Sequence, residues 1–370
     1  MSLVTIVLLV MGLVLLVVGA EALVRGASNL ASSLGISPLI IGLTVVAYGT
    51  SAPELAVSIQ SSLAGQIDIA VGNVVGSNIF NVLFILGLSA IVAPLVVAQQ
   101  LIRIDVPVMI GVSILTLVLG SDGTLGLGDG LLLTAGAIAY TLLQIVQARQ
   151  EKDDSVRQEY EQEYGPDDRA TQSKGWKLWL TNLGLIFGGV ALLIAGSHFL
   201  VDSAIAIAQA LGVSELVIGL TIVAAGTSLP ELATSVVATL KGERDIAVGN
   251  VVGSNVFNIL AVLGLASLTS PVGLAVSTPA VRFDIPVMIA VAIACLPIFF
   301  TGSVISRWEG FVFVAYYISY IAFLGLRAMQ HGSLDVFSNV MLLFVIPLTM
   351  VTLFAVGLNK WRSSRRSASP

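Results

Sequence analysis

Two glutamates are the residues of this chain whose type and surroundings could do chemistry. Glu54 follows the sequence GTSAP, Glu231 follows GTSLP, and most of the neighbouring residues are apolar. A carboxylate inside a hydrophobic helix needs a cation or a proton to offset its charge. The glycine and proline of each motif weaken the helix and free backbone carbonyls, which are tolerated at membrane depth only beside a cavity or a ligand. The two segments therefore predict a buried cation site.

Each glutamate belongs to one copy of an internal repeat. Residues 38–83 and 215–260 align without gaps over 46 positions, and 31 of these are identical. The alignment pairs Glu54 with Glu231 and places the copies 177 residues apart. A repeat whose copies both contain a broken apolar helix with an acid is typical of secondary transporters. The alternative is a structural glutamate in a kinked packing helix, and the duplication argues against it.

A second segment of each copy supplies polar side chains at helical spacing. The sequence GNVVGSNIFN places Asn73, Ser77 and Asn81 four residues apart, which puts them on one face of a helix. The second copy repeats the pattern at Asn250, Ser254 and Asn258. We expect the serine and the last asparagine of each copy to be ligands and the first asparagine to be structural. Hydrogen bonding between helices is the alternative for the whole stripe.

Small residues in the same segments predict close helix packing. Gly72 and Gly76 are four residues apart, as are Gly249 and Gly253. Glycines at this spacing let the backbones of two membrane helices approach closely. We therefore expect each segment to pack tightly against a neighbouring helix.

The composition excludes a soluble protein of this size. Hydrophobic residues make up 56% of the 370 residues and charged residues only 11%. Apolar stretches of about 20 residues recur along the chain, and each is long enough to cross a ~30 Å hydrocarbon core. The predicted spans are 3–24, 37–64, 72–97, 104–120, 125–147, 178–202, 213–240, 249–271, 284–301, 308–327 and 336–358.

These spans predict an all-α polytopic membrane protein with a ten-helix core. Residues 1–147 form the first five-helix repeat, and residues 178–327 form the second. Residues 148–177 are a cytoplasmic linker with 14 of the 39 charged residues, and 328–370 hold one extra transmembrane helix and a basic tail. Because each repeat has an odd number of spans, the second enters the membrane from the opposite side and is inverted.

The basic residues predict the orientation. With the N-terminus outside, 15 of the 17 Lys and Arg residues lie on the cytoplasmic side, and only Arg282 and Arg327 lie outside. Such an excess follows the positive-inside rule and places the C-terminal tail in the cytoplasm. We expect a multi-pass protein of a prokaryotic plasma (inner) membrane.

The available ligands favour a hard cation. The chain has one cysteine and two histidines, so paired thiolate or imidazole ligands are not expected. Carboxylate, hydroxyl, amide and backbone oxygens suit Na⁺, Ca²⁺ or Mg²⁺, and a flexible set of six to eight suits Ca²⁺ better than Mg²⁺. A site of charge −2 is neutralised by one Ca²⁺, by two protons or by sodium ions. Competition among these occupants is the basis of antiport.

The motif pair GTSAPE…GNVVGSNIFN and GTSLPE…GNVVGSNVFN resembles the α-repeats of the sodium/calcium exchanger family, within the cation/calcium antiporter superfamily. The resemblance covers residues 1–327. It implies central sites built from the second and third helices of each half, with the first helix of each half sliding to alternate access. By motif position the implied ligands are Glu54, Glu231, Thr50, Ser51, Thr227, Ser228, Ser77, Asn81, Ser254 and Asn258, with carbonyls of Ala47 and Ala224 for sodium.

One position departs from the family pattern. Many relatives have Asp where this chain has Asn258, so two acids rather than three are expected at the centre. The leading hypothesis is a secondary antiporter that exports Ca²⁺ in exchange for Na⁺ by alternating access. The same fold coupled to H⁺ is the first alternative, and a cation channel is a distant one. The departure leaves ion stoichiometry and the driving ion open.

The expected partners are few. Ca²⁺ and Na⁺ are the substrates, the lipid bilayer is the environment, and neither a cofactor nor a nucleic acid is expected. One chain should be functionally sufficient, because it holds both copies of the motif. An enzyme is not expected, since the sequence contains no HExxH motif, no Cys/His pair and no nucleotide-binding loop.

Overall fold

The computed structural model describes residues 3–65, 67–150, 176–211, 224–300 and 303–347, which are almost wholly helical. The predicted linker lies mostly outside the described residues. The helices of the first half are α1 (Leu3–Leu34), α2 (Pro38–Thr50) and α3 (Ala52–Leu63), α4 (Ile67–Phe80, a π-helical turn at Asn81–Leu86, and Gly87–Val92), α5 (a π-helical turn at Leu101–Asp105, then Val106–Leu119) and α6 (Leu127–Gln150).

The second half contains the equivalent elements. They are α7 (Trp176–Ala210), α8 (Ala224–Gly226) and α9 (Leu229–Leu240), α10 (Arg244–Phe257, a π-helical turn at Asn258–Leu263, and Gly264–Thr269), α11 (a π-helical turn at Ala280–Asp284, then Ile285–Phe300) and α12 (Arg307–Ala328). A last helix, α13, covers Leu334–Val340 and a π-helical turn at Met341–Val345. The predicted eleventh span, 336–358, is described only to residue 347.

Within the described residues, seven helices are long and apolar enough to cross a membrane: α1, α4, α5, α6, α7, α10 and α12. The pair α2 and α3, bent by 44° at a short break, makes an eighth span when counted as one. The predicted all-α polytopic fold is confirmed. The halves' boundaries and the inner-membrane location stay predictions.

The first span of each half is longer than predicted. α1 continues to Leu34 rather than residue 24, and α7 continues to Ala210 rather than residue 202. The sequence prediction ended each span where polar residues lower the hydropathy. A helix, however, satisfies its own backbone hydrogen bonds and continues past such residues, especially where a neighbouring helix supports it.

Glycines lie where α1 packs against α7. Gly12, Gly19 and Gly26 recur every seven residues along α1, and α7 runs antiparallel to α1. A Cβ atom added at Gly19 would lie 2.8 Å from the carbonyl oxygen of Gly189, and one added at Gly12 would lie 2.9 Å from that of Gly196. The two first helices of the repeats therefore pack backbone to backbone.

Two short antiparallel sheets reveal the symmetry of the halves. Strand β1 (Leu95–Val96) pairs with β4 (Val304–Ile305), and β2 (Thr124–Leu125) pairs with β3 (Leu274–Ala275). Because α5 connects β1 to β2, the two sheets lie at opposite ends of a span. The repeat matches β1 with β3 and β2 with β4, so a two-fold rotation exchanges the sheets. This is the arrangement of inverted halves.

The central helices are α4 and α10. In the most apolar window of each, 78% and 83% of residues are buried, compared with 39% or less in the other long spans. Gly249 and Gly253 of α10 approach α2 closely, as predicted, with added Cβ atoms 2.9 Å from the carbonyl oxygen of Leu39 and 2.5 Å from that of Leu43. Gly72 and Gly76 of α4 have no described atom within 4 Å of an added Cβ. The segment that corresponds to α2 in the second half lies mostly outside the described residues.

Candidate ion-binding site

Each glutamate lies in the first turn of a half-helix. The break between α2 and α3 is at Ser51 (φ −83°, ψ 10°), and the break between α8 and α9 is at Ser228 (φ −89°, ψ 10°). The proline of each motif lies within the first two helical positions, where its missing amide costs least. Glu54 and Glu231 follow directly, and the positive end of a helix dipole favours their negative charge.

The two halves hold each other's carboxylates. Ser228 Oγ donates a hydrogen bond to Glu54 Oε1 at 2.8 Å, and Ser51 Oγ donates to Glu231 Oε1 at 2.7 Å. All four residues are 0% exposed. The glutamates, 177 positions apart in sequence, are therefore brought to the two-fold centre by reciprocal contacts.

The first asparagine of each stripe supports the broken helix. Asn73 Nδ2 donates to the carbonyl oxygen of Glu54 at 3.2 Å and to Ser58 Oγ at 3.0 Å. In the second half, Asn250 Nδ2 donates to the carbonyl oxygen of Glu231 at 3.3 Å. These amides thus bind protein acceptors, and the structural role expected for them stays a prediction.

The threonines of the motifs also bind across the halves. Thr227 Oγ1 donates to Asn73 Oδ1 at 3.3 Å, and Thr50 Oγ1 lies 3.1 Å from Asn250 Oδ1 and 3.3 Å from the carbonyl oxygen of Ala47. Ala47 and Thr50 lie in α2. Thr227 lies at the break before α9, and Ala224 begins α8 at the edge of the described residues.

Sequence reasoning missed a third pair of asparagines. Asn81 Nδ2 donates to Asn255 Oδ1 at 3.0 Å, and Asn258 Nδ2 donates to Asn78 Oδ1 at 3.2 Å. Asn78 and Asn255 do not fall on the i, i+4 stripe that the prediction followed. Their signal was their identity in both copies, since each is a polar residue repeated within a buried apolar helix.

Six buried oxygens at this centre have no hydrogen-bond partner among the described residues. They are Glu54 Oε2, Glu231 Oε2, Ser77 Oγ, Ser254 Oγ, Asn81 Oδ1 and Asn258 Oδ1. A buried polar atom without a partner costs about 1–3 kcal/mol, so six in a symmetric set call for a ligand. All six oxygens have lone pairs that can accept a hydrogen bond or bind a cation. Two carboxylate, two hydroxyl and two amide oxygens are a ligand set that fits a hard cation.

Charge at the centre comes from the two glutamates. Among the described residues, no group of three or more His, Cys, Asp or Glu side chains could hold a metal ion. The arrangement therefore offers a formal charge of −2 with neutral oxygen ligands around it. Such an arrangement suits the binding of hard cations.

Comparison with known proteins assigns the family. The model of the family described as "Sodium/calcium exchanger protein" matches residues 4–146 and 181–326, which together cover both predicted halves. The chain belongs to the sodium/calcium exchanger family. The resemblance drawn from the motifs is thereby confirmed, and the protein is a membrane transporter of the antiporter type rather than an enzyme.

Several relatives match this exchanger over most of their length. The putative antiporter CaxA of Alkalimonas amylolytica is 41% identical over 322 residues, covering 86% of this chain and 98% of the relative. The sodium/calcium exchanger MaX1 of Methanosarcina acetivorans is 34% identical over 352 residues, covering 88% and 99%. A solved structure of the sodium-calcium exchanger NCX_Mj, soaked without Na⁺ and Ca²⁺, superposes with a TM-score of 0.74 at 31% identity, covering 88% of this chain and all of that one.

Proposed function

We propose that this exchanger exports Ca²⁺ from the cytoplasm in exchange for Na⁺, and that both ions bind at the centre formed by the half-helices α3 and α9 and by α4 and α10. The observation that carries the proposal is the set of six unpaired buried oxygens, two of them from Glu54 and Glu231. Six oxygens with two negative charges match the number and the charge that Ca²⁺ requires. Thr50, Ser51, Thr227, Ser228 and the carbonyls of Ala47 and Ala224 complete the proposed ligand set.

Exchange follows from the charge of the centre. One Ca²⁺ neutralises the two carboxylates, and sodium ions can replace it. An empty centre would bury two uncompensated anions, which is strongly unfavourable away from water. The helices around an empty centre therefore resist the change of access, whereas an occupied centre permits it. This difference couples the movement of one ion to that of the other.

The names of two relatives support sodium as the coupling ion. MaX1 and NCX_Mj are both called sodium/calcium exchangers, and each covers close to nine-tenths of this chain. Coupling to H⁺ is the second candidate, because the free oxygen of each glutamate is also able to accept a proton. The two candidates share the site and differ in the ion gradient that drives Ca²⁺.

Transport by the purified protein in liposomes separates the two candidates. Vesicles loaded with Na⁺ and diluted into Na⁺-free buffer are expected to take up ⁴⁵Ca²⁺, and a pH gradient imposed on Na⁺-free vesicles is expected to give none. Uptake driven by the pH gradient alone would contradict sodium coupling. It would also identify the protein as an H⁺-coupled antiporter.

Substitution of the glutamates tests the site itself. Glu54→Gln and Glu231→Gln each remove one charge from the centre, so sodium-dependent uptake should fall at least about 100-fold, beyond the 10–100-fold typical of residues that only support a metal ligand. Glu309→Gln is the matched control. Glu309 is also a buried carboxylate, 2% exposed, but it caps α12 through Ser306, a role that glutamine performs as well. Normal uptake by both central variants would refute the site.

A further inference from the structure

Four asparagines form a closed hydrogen-bond network at the two-fold axis. Asn81 binds Asn255 and Asn258 binds Asn78 through their side chains, as described above. Asn78 Nδ2 then donates to the carbonyl oxygen of Asn255 at 3.2 Å, and Asn255 Nδ2 donates to that of Asn78 at 3.3 Å. All four side chains are 2% exposed or less. The network therefore joins α4 directly to α10.

The direction of every amide in this network follows from its acceptors. A backbone carbonyl can only accept a hydrogen bond, so the end of Asn78 and of Asn255 that faces a carbonyl must be the NH₂ group. A methionine sulfur, which is only a weak acceptor, lies near the same end of each amide: Met288 Sδ is 3.6 Å from Asn78 Nδ2, and Met109 Sδ is 3.5 Å from Asn255 Nδ2. The Oδ1 atoms of Asn78 and Asn255 are consequently directed toward the neighbouring asparagines.

This direction is passed on to the predicted ligands. Because Asn255 presents an oxygen, Asn81 must turn its NH₂ group toward it, and its own Oδ1 is left unpaired. Asn258 is fixed by Asn78 in the same way, and its Oδ1 is also unpaired. A flipped amide at either position would direct the positive end of its dipole toward a cation.

We propose that Asn78 and Asn255 are positioning residues for cation binding, which hold Asn258 and Asn81 with their oxygens toward the ion. The proposal rests on the cation site proposed above. Each positioning residue acts on the ligand of the opposite half, so Asn78 serves Asn258 although Asn81 is its neighbour in α4. The two halves of the site are thus oriented by each other.

Equilibrium Ca²⁺ binding to the purified, monodisperse exchanger tests this, measured calorimetrically without Na⁺. Asn78→Leu and Asn255→Leu should each weaken binding about 10–100-fold, as is usual when the partner of a metal ligand is lost. Met109→Leu and Met288→Leu are the matched controls, because they keep the volume and leave the backbone carbonyls to direct the amides. Their Ca²⁺ affinity should stay within about threefold of the parent. If a Leu variant yields no folded protein, the corresponding Ser variant replaces it.

Double substitutions provide a readout that a merely structural role would not give. Asn255→Leu combined with Asn81→Ala should weaken Ca²⁺ binding no further than the stronger single change, since Asn255 acts through Asn81. Asn78→Leu combined with Asn81→Ala should multiply the two single effects, because these residues share no side-chain hydrogen bond. The proposal would be overturned if both double variants deviated equally from the product of their single effects on Ca²⁺ affinity. A change in affinity below threefold in the single Leu variants would also overturn it.

The glutamate variants separate this result from the parent hypothesis. If Glu54→Gln and Glu231→Gln abolish Ca²⁺ binding while the asparagine pairs behave alike, the cation site stands and the positioning role fails. If the glutamate variants bind Ca²⁺ normally, the proposed site is wrong, and the positioning role fails with it.

Discussion

At the scale of single residues, the hydrogen bonds to the central glutamates of this exchanger cross the two-fold axis. Ser51 is three residues from Glu54 in sequence, but its hydroxyl binds Glu231, and Ser228 binds Glu54 in return. The sequence predicts these residues as one group, because their types recur together in both motifs. It places each serine beside the glutamate of its own motif, whereas the hydrogen bonds run to the glutamate of the other motif.

Asn73 offers a residue-scale prediction on stability. Asn73→Ala removes the donor to the Glu54 carbonyl and to Ser58 Oγ, so buried acceptors lose their partner. The expected cost is about 1–3 kcal/mol of folding free energy. A lower midpoint of thermal unfolding in ion-free detergent solution would show it. Because the Asn73 side chain binds protein groups, the Ca²⁺ concentration for half-maximal transport should stay close to that of the parent.

The control for this prediction lies on α12. Ser319 is half-buried there, and among the described residues its hydroxyl binds the carbonyl oxygen of Ala315 one turn earlier. Ser319→Ala should leave the unfolding midpoint unchanged. If the Asn73→Ala protein unfolds at the same temperature as the parent but needs a much higher Ca²⁺ concentration for half-maximal transport, Asn73 is instead a ligand.

At the scale of elements, two features of the helices are important. The break in each second helix puts a half-helix N-terminus beside the glutamate, and the close contact of α1 with α7 joins the first helices of the two halves. Packing without side chains between the backbones relies on dispersion contacts, which tolerate no added atoms. The contact should therefore be sensitive to a single methyl group.

Two adjacent glycines of α7 make a matched test of that contact. A Cβ at Gly189 would lie 2.7 Å from the carbonyl oxygen of Gly19, whereas Gly188 has no described atom within 4 Å of an added Cβ. Gly189→Ala should cost about 1–3 kcal/mol by overpacking and lower the thermal midpoint. Gly188→Ala should preserve the midpoint or raise it, since alanine favours the helix. Equal midpoints for both variants would contradict the predicted importance of the α1–α7 contact.

At the scale of the whole molecule, inversion of the halves decides which loops meet. The sheet of β1 and β4 lies at one end of α5, and the sheet of β2 and β3 lies at the other. Loops of both halves therefore share each face of the membrane. The basic residues predict that the first sheet is cytoplasmic and the second is outside.

Single cysteines can test this orientation. Cys295→Ser removes the only cysteine, a buried one, and Ser121→Cys or Gln99→Cys then places one beside either sheet. In intact cells, a membrane-impermeant maleimide should label the cysteine at 121 and reach the one at 99 only after permeabilisation. The reverse labelling pattern would show that the orientation is opposite to the predicted one. Labelling of both from one side would contradict the prediction that α5 crosses the membrane.

The sequence by itself determined the class of this protein and most of the residues at its centre. Hydropathy is a property of each residue that can be summed over a short window, so the membrane helices could be predicted. The internal repeat identified Glu54, Asn81 and their counterparts. Only the tertiary structure decided the pairings of Ser51 with Glu231 and of Asn81 with Asn255. Helical spacing relates residues within one helix, whereas these hydrogen bonds depend on how two inverted halves meet. That contact is fixed by close packing between helices, which no periodicity of a single segment encodes.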